Sequence, residues 1–179
     1  MFTRMSASAK PFDSDAPKGA LRPIIRYNPD NAREKEMIEA AWGTDPRFSD
    51  GISYRFVQAE GKSFPSRRCL ILASEFQMKV GDKRYRVNRE DGNFFYLAGI
   101  WEPAIGGWPL AFRIITVPAN SEVARYQQRQ GAIIQRRQVM DWLDATIPEA
   151  DLLITPPAHS FIVESIGLAR KGLRNSLTP

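Results

Sequence analysis

The stretch CLILASEFQMKVGDKRYRVNREDGNFFYLAGIWE, residues 69–102, carries three strand signatures separated by two turns. CLILASEF (69–76) is an apolar run of strand length. KRYRV (83–87) alternates charged residues with aromatic or branched ones, the pattern of a half-exposed strand, and the GDK before it is a hairpin signal. FFYLAGIWE (94–102) follows the turn residues DGN, and its density of aromatic and aliphatic side chains marks a buried strand. WPLAFRIITV (108–117) then pairs with it across the two glycines at 106–107.

Working outward, LRPIIRY (21–27) is a strand candidate and NPDNAREK (28–35) a turn punctuated by Asn and Pro. EMIEAAW (36–42) reads as a strand because the loop GTDPRFSDG follows it. Residues 1–20 mix Ser, Ala, Lys, Asp, Gly and Pro without period and read as a flexible arm. Residues 171–179 read as a loose basic tail, which leaves 21–170 as one domain. On the C-terminal side, Asn120 can cap a short helix through Tyr126, with Glu122 in its first turn. QRRQVMDWLD (135–144) sets Val139, Trp142 and Leu143 on one helical face, and Pro148 stops that helix. DLLIT (151–155) and HSFIVESI (159–166) read as two last strands. The expected class is α+β: a strongly curved, barrel-like antiparallel or mixed sheet with a few short helices.

Bulk properties narrow the function. A chain of 179 residues, 43% hydrophobic and 25% charged, suits one soluble globular domain. Net charge is +5 and the isoelectric point about 9.6, which favours an anionic partner such as nucleic acid. Cys69 is the only cysteine and His159 the only histidine, so an intrachain disulfide and a Cys/His zinc site are both excluded. No cofactor and no metal are expected. No apolar run approaches the roughly 20 residues that cross a bilayer, and MFTRMSASAK lacks the apolar stretch of a secretory signal; the expected location is the cytoplasm.

Several blocks, in order, resemble the SOS-response-associated peptidase (SRAP) family. They are WG (42–43), SYR (53–55), KSFPSRRCLILASEF (62–76), FFYLAGIWE (94–102), FRIITVPAN (112–120), YQQRQGAII (126–134) and WLD (142–144). The resemblance implies a protein of the DNA-damage response that binds single-stranded DNA and cross-links to abasic sites. It implies a cysteine at position 2, freed by loss of Met1, whose amine and thiol close a thiazolidine ring with the opened sugar. It further implies a glutamate after the RCL strand and a histidine two residues before an arginine for proton transfer, and an asparagine that holds sugar and phosphate.

This chain departs at each of those positions. Phe2 stands for the cysteine, and its bulk opposes removal of Met1. Met78 falls on the glutamate position in an ungapped alignment, with Glu75 an odd number of residues away and so expected on the opposite strand face. Gln127 stands for the histidine and does not titrate near neutral pH. Ser53 stands for the asparagine. No catalytic residue is therefore assigned. The positions that persist are Arg55 and Arg129, together with the pair Arg67 and Arg68; arginine suits phosphate because its planar fork donates in pairs.

Other residues sort by their surroundings. Cys69, among Leu70, Ile71 and Leu72, reads as a buried hydrophobe. His159 has no visible nucleophile partner. Arg136 and Arg137 lie at a helix start, where the dipole disfavours cations. Trp42 and Tyr54 flank the loop that in the family faces DNA and are candidates for base stacking, whereas Trp101 and Trp142 read as core. The site expected from sequence is Arg55, Arg129, Arg67, Arg68, Trp42, Tyr54 and Ser53, a surface for single-stranded or damaged DNA without covalent chemistry. Two alternatives stand beside it: an active abasic-site cross-linking, lyase or peptidase enzyme using substitute residues such as a lysine imine or Glu75, and reuse of the fold as a protein-interaction module in a phage or mobile element.

Overall fold

The computed structural model describes residues 9–48 and 50–168. Its strands are β1 (Lys10–Asp13), β2 (Leu21–Asn28), β3 (Asn31–Trp42), β4 (Phe56–Gln58), β5 (Arg68–Val80) and β6 (Lys83–Arg89). They continue with β7 (Phe95–Glu102), β8 (Ala111–Pro118), β9 (Arg129–Gly131), β10 (Ile133–Ile134) and β11 (Phe161–Leu168). Two short helices, α1 (Val139–Asp144) and α2 (Glu149–Leu152), and three 3-10 turns complete the described residues. The α+β class and the dominance of a curved sheet agree with the sequence pattern.

The sheet is built around β5 and β7, which pair antiparallel from Arg68↔Ile100 to Ala73↔Phe95. β7 pairs antiparallel with β8, as the glycine turn between them requires. β5 turns at Gly81–Asp82 into β6, which in turn carries β11. β2 and β3 form a hairpin that touches β5 through the single pair Ile25↔Leu70 and β8 through Ala41↔Ala111 and Trp42↔Phe112. The circuit β5, β7, β8, β3, β2 is thus a partial ring with narrow joints, which is why the curvature is strong.

Side-chain alternation divides the interior into two cores. Phe95 and Leu97 of β7, with Phe112 and Ile114 of β8, join Trp42, Ile24 and Phe12 in one cluster. Tyr96 and Ala98, with Ile115 and Val117, face the other cluster, which α1 and α2 cover through Trp142, Leu143 and Leu152. A strand covered on both faces has no polar side, and this explains the unbroken apolar run of β7. β5 shows the same pattern with one interruption. Lys10 of β1 lies opposite Ala73, but Phe12 lies opposite Phe76, so β5 holds one extra residue at Ser74–Glu75. This bulge shifts the alternation: Cys69, Ile71 and Ala73 before it and Phe76 and Met78 after it all enter the same core.

Five expectations are corrected. Residues 10–13, read as part of a flexible arm, form β1 and pair in parallel with β5; Phe12 supplies the burial that the composition hid. The rest of that arm, residues 1–8, and the tail at 171–179 lie outside the described residues. NPDNAREK is not one long turn: β3 begins at Asn31 and pairs with β2 through Tyr27↔Lys35 and, past an irregularity, to Asn28↔Asn31. That part of the hairpin is exposed, so it shows no apolar period. DLLIT is not a strand, because Pro148 serves as N-cap and starts α2 instead of merely ending the helix before it. The helix expected over 135–144 is a 3-10 turn at Arg136–Gln138 followed by α1, and Asn120 precedes a single 3-10 turn rather than a helix.

Gly99 on β7 lies where β5, β7 and β8 press closest. A Cβ there would sit 2.7 Å from Ile71 Cδ1, 2.9 Å from the Arg113 carbonyl oxygen and 3.0 Å from Cys69 Sγ. A backbone oxygen cannot turn aside as a side chain can. Gly99→Ala is expected to cost about 1–3 kcal/mol, read as a lowered midpoint in denaturant unfolding with an unchanged slope.

Candidate functional site

A cavity of about 420 Å³ opens where β1, β4, β8 and β9 converge over the first core. Its apolar wall is Phe12, Phe56, Phe76, Leu97 and Ile114. Its polar groups come from Ser14, Gln58, Thr116, Gln127, Arg129 and Gln130. Strand pairing accounts for the placement. Parallel β4 sets Phe56 opposite Ile114 and Gln58 opposite Thr116, while antiparallel β9 sets Gly131 opposite Thr116 and Arg129 opposite Pro118. Gly131 keeps the wall thin, since a Cβ there would come 2.9 Å from Leu97 Cδ2 and 3.2 Å from Ile114 Cγ2.

The Arg129 guanidinium is held at the mouth. Its Nε donates to Thr116 Oγ1 at 3.0 Å and its Nη2 to the Thr116 carbonyl at 2.8 Å. Nη2 also pairs with Glu60 at 2.8 Å. The hydrogen bond from Arg129 is the main reason the Glu60 carboxyl lies below its ordinary range, and Lys62 adds a smaller push in the same direction. Two cations therefore surround one carboxylate at the rim.

Asn120, 2% exposed, fixes the segment that carries Gln127. Its backbone N–H donates to Gln130 Oε1 at 2.9 Å, and its Oδ1 accepts from the Val123 N–H at 3.1 Å. Its Nδ2 donates to Glu122 Oε1 at 3.0 Å. Glu122 also accepts from Ser121 Oγ at 2.6 Å and from the backbone N–H groups of Ser160 at 2.9 Å and Phe161 at 3.2 Å. Burial pushes this carboxyl up, but those hydrogen bonds outweigh it and bring it down to about 2.

The residues expected from sequence separate in space. Gln127 and Arg129 line the cavity. Arg55 stands beside it, donating from Nη1 to the Ala16 carbonyl at 3.2 Å, two residues from Ser14. Ser53 Oγ donates to the Thr44 carbonyl at 2.7 Å and fills the space over Gly43. Tyr54 is an exposed ring next in the chain to Arg55.

Two candidates are withdrawn. Trp42, 2% exposed, is enclosed by Phe12, Phe56 and Phe112 at centroid distances of 5.1, 5.1 and 5.3 Å and offers no face to a base. Arg68, 7% exposed, donates to the carbonyls of Phe64 at 2.7 Å and Trp142 at 3.0 Å, pairs with Glu149 at 3.0 Å and lies 4.4 Å over the Trp142 ring. It is a core anchor for the helices. Arg67 is exposed but lies over Trp101, at 5.6 Å, and not in the cavity.

The remaining reactive types are also dispersed. Met78, 1% exposed, is packed in the core. Glu75 Oε2 accepts from Gln77 Nε2 at 3.0 Å, and Gln77 Oε1 accepts from Arg84, which puts this acid with the β6 arginines away from the cavity. Burial pushes the Cys69 thiol far up, which removes it as a nucleophile. His159 is exposed with φ +67° and borders a separate cavity of about 560 Å³. Among the described residues no cluster of His, Cys, Asp and Glu is arranged to hold a metal, and no helix is long and apolar enough to cross a membrane. Position 2 lies outside the described residues. Phe12, Ser14, Phe56, Gln58, Thr116 and Gln130 had not been singled out. The only sequence signal was for Phe56 and Gln58, close to Arg55, and for Gln130, beside Arg129; Phe12, Ser14 and Thr116 carried none, since pairing across β4, β8 and β9 is not written in any local pattern.

Two outcomes follow from these contacts. Arg68→Ala removes one partner of a mostly buried pair and two further hydrogen bonds, and is expected to cost about 3 kcal/mol in chemical denaturation. The stability difference between wild type and Glu122→Gln should be full above the ordinary carboxyl value of 4.5 and should shrink as pH falls toward 2, because the folded carboxyl stays charged to about 2. Thermal melts of both proteins across that range provide the check.

The fold has solved relatives. A protein from Bordetella bronchiseptica superposes with a TM-score of 0.66 at 21% identity over 93% of this chain and 94% of that one. A Bacteroides thetaiotaomicron protein gives 0.61 at 18% identity over 83% and 74%, and a phage-related protein from Bordetella bronchiseptica gives 0.65 at 17% over 84% and 80%. At such identities the likeness is one of fold. No curated protein matches this chain at a significant level. The family described as SOS response associated peptidase (SRAP) matches residues 15–166, a span that holds β2 through β10 and every polar group of the cavity except Ser14, and so the chain belongs to the SRAP family.

Proposed function

We propose that this SRAP domain serves in the DNA-damage response by holding single-stranded DNA, abasic strands included, without forming a covalent bond to it. The observation that carries the reading is the composition of the cavity. It joins Gln127 and Arg129, the two positions that correspond to the family's histidine and arginine, to an aromatic wall. Among the described residues it is lined by no carboxylate, imidazole, thiol or amine. Among the described residues such a site positions a strand, its Ser14 and Thr116 hydroxyls have no base beside them in the lining to activate them, and it offers no proton-transfer group. Glu75, the residue that would rescue acid catalysis, keeps company with Gln77 and the β6 arginines instead.

Affinity in this reading comes from a basic rim. Lys62 is exposed, and Arg129 exchanges Glu60 for a phosphate when a strand arrives.

Gel-shift titrations with intact and abasic oligonucleotides are expected to show binding that weakens steeply with salt. Denaturing gels of the abasic mixture, with and without borohydride, are expected to show no slow band. Absence of binding at low salt sinks the reading, and a denaturation-resistant adduct sinks its non-covalent part. Glu60→Gln should tighten binding at low salt by about fivefold, since it frees Arg129 for phosphate.

A further inference from the structure

We infer that the cavity receives an intact unpaired nucleobase and favours a strand that still carries its base over a bare sugar-phosphate backbone. The inference rests on the DNA-binding reading above and deepens it. Three observations carry it. The wall holds Phe12, Phe56 and Phe76; Phe12 and Phe76 are packed into the core, and the Phe56 ring, 43% exposed, is the face open to a base, since aromatic faces hold unpaired bases without reading their sequence. The polar groups at the same place are three carboxamides, those of Gln58, Gln127 and Gln130, each pairing a donor with an acceptor as base edges do. The third observation is an unfilled donor.

Gln130 is 2% exposed and lines the cavity. Its Oε1 is occupied by the Asn120 N–H at 2.9 Å, and this fixes which end of the amide is nitrogen. Its Nε2 then has no hydrogen-bond partner among the described residues. A buried donor left unmade is costly, so the site is incomplete as it stands. A carbonyl or ring nitrogen of a seated base supplies the missing acceptor; a bare deoxyribose supplies neither the acceptor at that depth nor a face for the rings.

Charge points the same way. The Arg129 cation at the mouth is matched by Glu60, so the interior offers neutral amides and rings, which suit a neutral heterocycle better than a phosphate. Phosphate contacts belong to the rim. The volume of about 420 Å³ falls in the range of small-molecule pockets.

The test compares two short strands. One is built wholly of tetrahydrofuran abasic units, and the other is identical except for one thymine or adenine at its centre. The base is expected to tighten binding about tenfold, and the gain should stay the same from low to moderate salt, because a neutral group releases no counterions. Gln130→Met should reduce the gain, and Gln127→Ala, on a half-exposed wall position, gives the same readout should the buried variant fail to fold. Equal affinity for the two strands overturns this inference and leaves the DNA-binding reading standing. If neither strand nor an ordinary oligonucleotide binds at low salt, both are overturned. A gain that both variants leave at full size places the base elsewhere and also overturns the inference.

Discussion

The pairing of β5 on both edges along its length is the constraint from which the rest of the fold follows. Its thirteen residues meet β7 and β2 in the first half and β6 and β1 in the second. A strand paired on both edges cannot shift its register without breaking the pairing on each side. The extra residue at Ser74–Glu75 is therefore decisive: it carries the strand from one set of partners to the next while keeping Cys69, Ile71, Ala73, Phe76 and Met78 in one core. It also determines chemistry. Met78 lands in packed hydrocarbon, where a carboxylate would be expensive to bury, and Glu75 lands with Gln77 and Arg84 on the other face.

The cavity depends on a second, polar constraint. Asn120 binds the end of β8 to Gln130, to the turn at Val123 and to Glu122, and Glu122 binds the same turn to Ser160 and Phe161. Each of these groups is satisfied by another, so the segment bearing Gln127 has one position rather than several. The network leaves a single loose end, Gln130 Nε2. Within the Asn120–Glu122 network it is, among the described residues, the one donor left without a partner, and its residue lines the cavity that the nucleobase reading fills.

Charge count proved a weaker guide than charge environment. Four arginines were candidates for one groove on the strength of residue type. One of them, Arg68, is consumed by two carbonyls, a carboxylate and a ring. Arg67 lies over Trp101, and Arg55 and Arg129 remain near the cavity, the latter already paired. The fork that makes arginine a good phosphate ligand makes it an equally good tie between helix and sheet, and sequence does not distinguish the two uses.

What the sequence determined by itself is what depends on neighbours in the chain. The hairpins at Gly81 and at Gly106–Gly107, the two-faced burial of β7 and the family blocks from Trp42 to Asp144 were legible because turn chemistry and apolar density are local. Gln127 and Arg129 were singled out through the family's spacing, and both line the cavity. What only the tertiary structure decided is what depends on pairing between distant segments. β1, exposed in composition yet paired through Phe12, the bulge in β5, and the wall made by Phe56, Gln58, Thr116 and Gln130 all come from partners tens of residues apart. Whether an arginine or a tryptophan faces solvent or core is settled by such partners, because burial is a property of the assembled sheet and not of the residue.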